Sequence, residues 1–339
     1  MTWRRMRMLE TGFTRELEPS EAPLPEPSGS QVLVEVEACG VCYRDTIDRS
    51  GRFAFIQLPV TPGHEAVGRV VAVGNDVSSW KVGDRIASMH RDSCGTCPSC
   101  QAGDTSLCPF AASVLGLLVD GGYASHILAP ERCFYPMPEE IPAAMAAILH
   151  CTYGTAYRGL VRWGQLKSGQ RALITGANGG VGAAAIQIAK RLGAGVVAVV
   201  RSEEHVGYCK ELGADEVLVN SGGDFHRQLG QRVEVALDCV GEPTFNAALR
   251  SLSVGGRIVS IGNVVGKRAE LNLGYIITTG LSIHGSSGAT PDDMRALLEL
   301  HAQQPLSAVV HEERPLAEAD AAQRRLLEGN LHGRIVLVP

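Results

Sequence analysis

Hydrophobic and polar positions fall into two textures along the chain. In the first part they form short half-buried stretches such as Val32-Leu33-Val34-Glu35-Val36-Glu37-Ala38, the pattern of strands. Val67-Gly68-Arg69-Val70-Val71-Ala72-Val73-Gly74 and Lys81-Val82-Gly83-Asp84-Arg85-Ile86-Ala87 read the same way, each broken by glycine. Short strands of this kind predict a β-rich, barrel-like region. Ahead of them, the Pro- and Glu-rich run 18–27 predicts an irregular lead-in.

From about residue 141 the texture changes. An Ala-rich helical stretch at 143–150 is followed by strands at 171–175, 196–200, 217–219, 233–237 and 257–261. Between them lie helical patterns at 183–192, 203–212 and 245–252. Apolar strands separated by helices mean a parallel sheet covered on both faces. One more strand at 334–338 predicts that the chain returns to the first region after about residue 281. The expected fold class is therefore α/β. A doubly wound parallel sheet of residues 146–280 is inserted in a discontinuous β-rich domain of 1–145 and 281–339.

Charge narrows the partners. Lys plus Arg number 31 against 36 for Asp plus Glu, so the net charge of −5 without long basic runs argues against nucleic acid or anionic membrane. No apolar run approaches the roughly 20 residues of a membrane span. The basic start, Met-Thr-Trp-Arg-Arg-Met-Arg-Met, leads into no apolar region of the kind a secretory signal carries. The expectation is a cytoplasmic protein, so its ten cysteines are read as fillers, nucleophiles or metal ligands rather than disulfides.

Two motifs carry chemistry by themselves. The predicted strand at 171–175 runs into Gly176-Ala177-Asn178-Gly179-Gly180-Val181-Gly182, and a helix opens at once. Glycines there allow a tight turn and close approach to a pyrophosphate, which the helix N-terminus then meets with free N–H groups. Gly176, Gly179, Gly180, Val181 and Gly182 are thus read as a dinucleotide loop. The next strand ends in Arg201-Ser202 instead of an acidic residue, which favours a 2′-phosphate and NADP(H), with NAD(H) as the alternative. Separately, Cys94, Cys97, Cys100 and Cys108 follow a C-x2-C-x2-C-x7-C pattern. Four thiolates so spaced close a tetrahedral zinc site with no open position, a structural ion locking a long loop.

Other segments gain meaning together. They are Gly40-Val41-Cys42 with Asp45 three residues on, Gly63-His64-Glu65, Cys151 before Thr155, Gly255-Gly256-Arg257-Ile258-Val259, and Gly333-Arg334-Ile335-Val336-Leu337. With the four-cysteine loop and the glycine loop, they resemble the zinc-dependent medium-chain dehydrogenase/reductase family across essentially the whole chain. The resemblance implies a Rossmann nucleotide domain and a GroES-like catalytic domain. It implies Cys42, His64 and Cys151 as ligands of a catalytic zinc, making two zinc ions per chain. Asp45 would then orient His64, and Glu65 would stand behind the ligands or join them transiently. Thr155 would pack on the nicotinamide, Ile261, Gly262 and Asn263 would line the cofactor, and Arg334 would meet its pyrophosphate. A homo-oligomer, dimer or tetramer, is implied as well. Cys39, Cys133, Cys209 and Cys239 receive no role.

One position departs from the alcohol dehydrogenases of the family. Where these carry a Ser or Thr that relays the substrate proton, this chain has Arg44, which cannot pass one on. Cys42-Tyr43-Arg44-Asp45, Tyr157-Arg158-Gly159-Leu160, Ile261-Gly262-Asn263-Val264 and Leu273-Gly274-Tyr275-Ile276-Ile277 are similar to the acryloyl-CoA reductase branch. The resulting expectation is reduction of a short enoyl-CoA thioester, straight or branched, with Arg44 holding the thioester oxygen or a CoA phosphate. The competing readings are a zinc alcohol or aldehyde dehydrogenase and, further off, a nicotinamide-binding protein without catalysis.

Overall fold

The computed structural model describes residues 2–220 and 222–339. The chain divides into two compact units, one of residues 2–151 with Val310–Pro339, the other of Thr152–Val309.

The first unit is built on a seven-stranded sheet. Val310–Pro315, Arg334–Val338, Gln31–Val41, Glu65–Val73, Arg85–Ser88 and Phe134–Pro136 lie in that order, with His126–Pro130 pairing with Gln31–Val41. Gln31–Val41 is flanked by strands on both sides and is buried along most of its length, so its apolar residues outnumber a simple alternation. Val32, Val34, Ile127, Ile335 and Leu337 form part of its core. The strand predicted from Lys81 begins only at Arg85, because Lys81–Asp84 is a turn with Gly83 at φ +96°.

The expected irregular lead-in is instead a strand, Glu18–Pro23, paired antiparallel with Thr2–Arg7. Its prolines are tolerated because Glu18–Pro23 is the outer strand of a two-stranded sheet and pairs on one side alone.

The second unit is a six-stranded, wholly parallel sheet. Its order is Glu216–Val219, Gly195–Val200, Arg171–Thr175, Val233–Asp238, Leu252–Ser260 and Ser282–Gly285. The order reverses at Arg171–Thr175, the topological switch at which such sheets open a crevice. Leu173, Val197, Ala236 and Ile258 are core residues there.

The predicted return at residue 281 comes too early. Ser282–Gly285 pairs with Leu252–Ser260, and the capped helix Pro291–Gln303 is held by an Arg158–Asp293 ion pair of 2.7 Å. With Ile283 its one large apolar residue, this edge strand offers no periodic signal. Among the described residues no helix is long and apolar enough to cross a membrane.

Candidate functional site

In the first unit, strand Gln31–Val41 delivers Cys42 as the N-cap of the helix Tyr43–Arg49. The cap is reciprocal. Cys42 Sγ accepts the Arg44 N–H, and Asp45 Oδ2 accepts the Cys42 N–H at 3.0 Å. The Ala-rich helix Ala143–Ile148 runs into a widened π turn, Leu149–Gly154, which carries Cys151. Such turns recur where a helix must aim a functional side chain.

These elements bring Cys42, His64, Glu65 and Cys151 together, their donor atoms all within 4.8 Å of one another. Cys42 Sγ lies 3.9 Å from Cys151 Sγ, and Cys151 Sγ lies 3.4 Å from His64 Nε2. His64 turns Nε2 inward because Nδ1 faces Asp45 Oδ1 at 3.0 Å. The Tyr123 hydroxyl donates to the other Asp45 oxygen at 2.9 Å.

The hydrogen bond between the two thiols holds Cys42 well below the ordinary thiol range and Cys151 well above it. Burial pushes the Glu65 carboxyl up to about 7, against the pull of Arg334. Arg334 sends one guanidinium nitrogen to Glu65 Oε1 at 3.2 Å and to Cys42 Sγ at 3.5 Å. Reading Arg334 as a pyrophosphate partner missed this contact, because its partners lie 269 and 292 residues away in the chain.

Arg44 is anchored on two sides. Its Nε donates to Asp48 Oδ2 at 2.9 Å and its terminal nitrogen to the Leu115 carbonyl at 3.1 Å. Tyr123 and His90 went unread in the sequence. The His90 ring lies 6.5 Å from His64 and 5.6 Å from His150, and burial pushes its pKa well below the ordinary imidazole range.

The four cysteines of the loop also converge. Cys97 Sγ is 3.5 Å from Cys100 Sγ and 3.9 Å from Cys108 Sγ, and Cys94 Sγ is 3.9 Å from Cys100 Sγ. Backbone N–H groups of Cys97 and Cys94 point at Cys94 Sγ and Cys108 Sγ, the bonding that thiolate ligands receive.

In the second unit, the glycine loop joins strand Arg171–Thr175 to the helix Gly180–Arg191. Gly176 sits at φ +58°, and a Cβ on Gly182 would come within 2.3 Å of the Gly176 carbonyl oxygen. No side chain caps the helix, whose first N–H groups are left for an anion. Ile261, Gly262 and Asn263 follow strand Leu252–Ser260, with Gly262 pressed against the Cys239 backbone. Arg201 is exposed beyond strand Gly195–Val200, where the Ser202 hydroxyl donates to Glu204 Oε1 at 2.8 Å. Thr155 is half-buried at the start of the short helix Thr155–Arg158.

Comparison with known proteins decides the family. Residues 28–139 match the alcohol dehydrogenase GroES-like domain, and residues 180–303 match the zinc-binding dehydrogenase family. The chain is a zinc-containing medium-chain dehydrogenase/reductase. An acryloyl-coenzyme A reductase of Sulfurisphaera tokodaii is 35% identical, covering 94% of this chain and 95% of its own. An alcohol dehydrogenase of Geobacillus stearothermophilus is 34% identical, covering 96% of each chain. The crystal structure of AibC is 39% identical with a TM-score of 0.92, covering 100% of this chain and 96% of its own. The fold is thus Rossmann plus GroES-like, and the protein is an oxidoreductase.

The residues of this dehydrogenase/reductase fit the groups its family uses. Two thiols and an imidazole form a soft donor set suited to zinc. Glu65 Oε2 is buried without a hydrogen-bond donor, an arrangement that is costly unless a cation stands nearby. For a dinucleotide, the glycine loop provides the close backbone approach and the uncapped helix end.

Proposed function

We propose that this enzyme reduces a short α,β-unsaturated acyl-CoA thioester with NADPH. The observation that carries the reading is Arg44. At the position of the hydroxyl relay stands a permanent cation held by Asp48 and the Leu115 carbonyl, which offers no path for an alcohol proton. Reduction of a conjugated double bond needs no such relay.

Cys42, His64 and Cys151 hold the catalytic zinc in this reading, and the four-cysteine loop holds a second, structural ion. When bound, zinc supplies a Lewis acid for the thioester carbonyl and the dihydronicotinamide supplies the hydride to the β-carbon. The chain's own residues prepare the site. Asp45 fixes the His64 tautomer, Arg334 balances the Glu65 charge, and Arg44 offers its remaining N–H groups to the thioester or a CoA phosphate. Arg201 receives the 2′-phosphate of NADPH.

The open edge of the parallel sheet supports a homo-oligomer. Strand Ser282–Gly285 has one neighbour, and Leu273, Ile277 and Val254 are 65%, 77% and 82% exposed in the same unit. Six of the ten cysteines fall in two groups of metal-ligand type, which supports a reducing compartment, the cytoplasm.

The deciding assay compares NADPH oxidation with acryloyl- and crotonyl-CoA against NADP+ reduction with primary and secondary alcohols. Turnover of the thioesters alone is the expected result. Turnover of alcohols alone overturns the reading in favour of an alcohol dehydrogenase. Metal analysis of the purified chain should give two zinc ions, whereas one would leave only the loop occupied.

A further inference from the structure

Tyr123 reaches the Cys42–His64–Cys151 cluster by three routes. Its backbone N–H donates to the Pro62 carbonyl at 2.9 Å, within the turn that presents His64. Its ring lies against Gly63, where a Cβ would come within 2.4 Å of the ring carbon Cδ1. Its hydroxyl donates to Asp45 Oδ2 at 2.9 Å.

Asp45 divides its two oxygens between different tasks. Oδ1 holds His64 Nδ1, while Oδ2 receives the Cys42 N–H and the Tyr123 hydroxyl. The carboxylate is 2% exposed, so water does not stand in for a missing donor. A carboxylate torsion is intrinsically broad, and two donors on one oxygen narrow it. Burial and the Asp45 charge push the Tyr123 phenol well above its ordinary range, so the hydroxyl stays a donor.

The tyrosine is itself braced from behind. Gln323 faces its hydroxyl and also accepts a 3.0 Å bond from Arg49. Arg49, 1% exposed, ends on Asp320 and on the carbonyls of Gly12 and Arg15. Buried polar networks of this kind rigidify what they touch.

We infer that Tyr123 is a positioning residue which, through Asp45, sets the tautomer and orientation of His64 and with them the zinc affinity of the cluster. The inference rests on reading Cys42, His64 and Cys151 as zinc ligands. Groups behind a metal-bound histidine are worth about 10- to 100-fold in metal affinity.

Tyr123→Phe removes the hydroxyl and keeps the ring on Gly63 and the N–H on Pro62. The measurement is zinc affinity of both sites by competition with a chromogenic chelator, joined by the visible spectrum of the cobalt-substituted protein. Tyr123→Phe should weaken zinc at the cluster about 10-fold, alter its cobalt bands, and leave the four-cysteine site unchanged. In an Asp45→Asn background the same change should add nothing, because the path runs through that carboxylate. An unchanged cluster affinity, equal weakening of both sites, or an undiminished effect in the Asp45→Asn background each overturns the inference. A wild-type chain that takes zinc at the four-cysteine site alone overturns the ligand assignment itself, and the inference with it.

Discussion

Cys94, Cys97, Cys100 and Cys108 lie within fifteen consecutive residues, whereas Cys42, His64 and Cys151 come from three segments spread over more than a hundred. The loop needs little beyond its own turns. Its thiols are bonded by neighbouring N–H groups, and Arg132 and Arg91 tie its carbonyls from outside. The dispersed cluster is made by the sheet, a capped helix and a π turn, and it sits on a buried carboxylate and a buried guanidinium. A local site serves the chain that carries it, while a site assembled from afar can leave one coordination position to a substrate.

The largest predicted effect tests that division directly. Cys42→Ser should lower kcat by about a thousandfold or more, since a Lewis acid is worth several kcal/mol in the transition state. Its thermal midpoint should stay close to wild type. Cys97→Ser should do the reverse, lowering the midpoint with kcat largely kept in the protein that remains folded. Steady-state kinetics and calorimetry on the two variants read both axes. Two variants with the same profile would abolish the distinction.

The same contrast explains what the sequence could disclose. Spacing alone groups four cysteines in the pattern of one metal site, and a glycine turn between strand and helix has the pattern of a phosphate cradle. No spacing exposes Cys42 with Cys151, because 109 residues of sheet and helix must fold before the thiols meet. Family resemblance alone brought those two cysteines together as expected ligands. Even so, it left Tyr123 unread, since its link to Asp45 spans 78 residues and an aromatic in a glycine-rich stretch looks like core. The edge strand Ser282–Gly285 escaped for a different reason, having too few apolar side chains to show a period. Glu18–Pro23 escaped because prolines read as breakers where a free strand edge accepts them.

An arginine on each site gives the next comparison. Arg334 is buried on Glu65, and Arg334→Ala would leave that carboxylate buried without its partner. Breaking such a pair costs about 3–5 kcal/mol, to be read from denaturant unfolding. Arg132→Ala removes exposed bonds to the Ser93 and Cys94 carbonyls and should cost about 1 kcal/mol or less. Equal losses would show that the two sites are braced alike.

Arg44→Ser probes the substrate side of the dispersed cluster. The backbone N–H of residue 44 still bonds Cys42 Sγ, so the ligands should hold. Losing a charge-assisted contact should raise the enoyl-CoA KM about 10-fold or more, with zinc content unchanged. An unchanged KM and kcat would remove Arg44 from substrate binding.

The smallest effect should leave both metal sites untouched and move only cofactor choice. Arg201 is exposed where the second parallel strand ends, and Ser202 beside it is engaged by Glu204. An exposed ionic contact is worth about 1 kcal/mol at most, which corresponds to roughly fivefold in affinity. Arg201→Ala should therefore raise the KM for NADPH about fivefold and leave that for NADH unchanged. Because screening weakens exposed pairs, the wild-type preference should shrink further as ionic strength rises. A variant with the same ratio of the two KM values as wild type would show that Arg201 does not read the 2′-phosphate. NADPH would then have no support over NADH from this position, leaving NAD(H) as the competing cofactor.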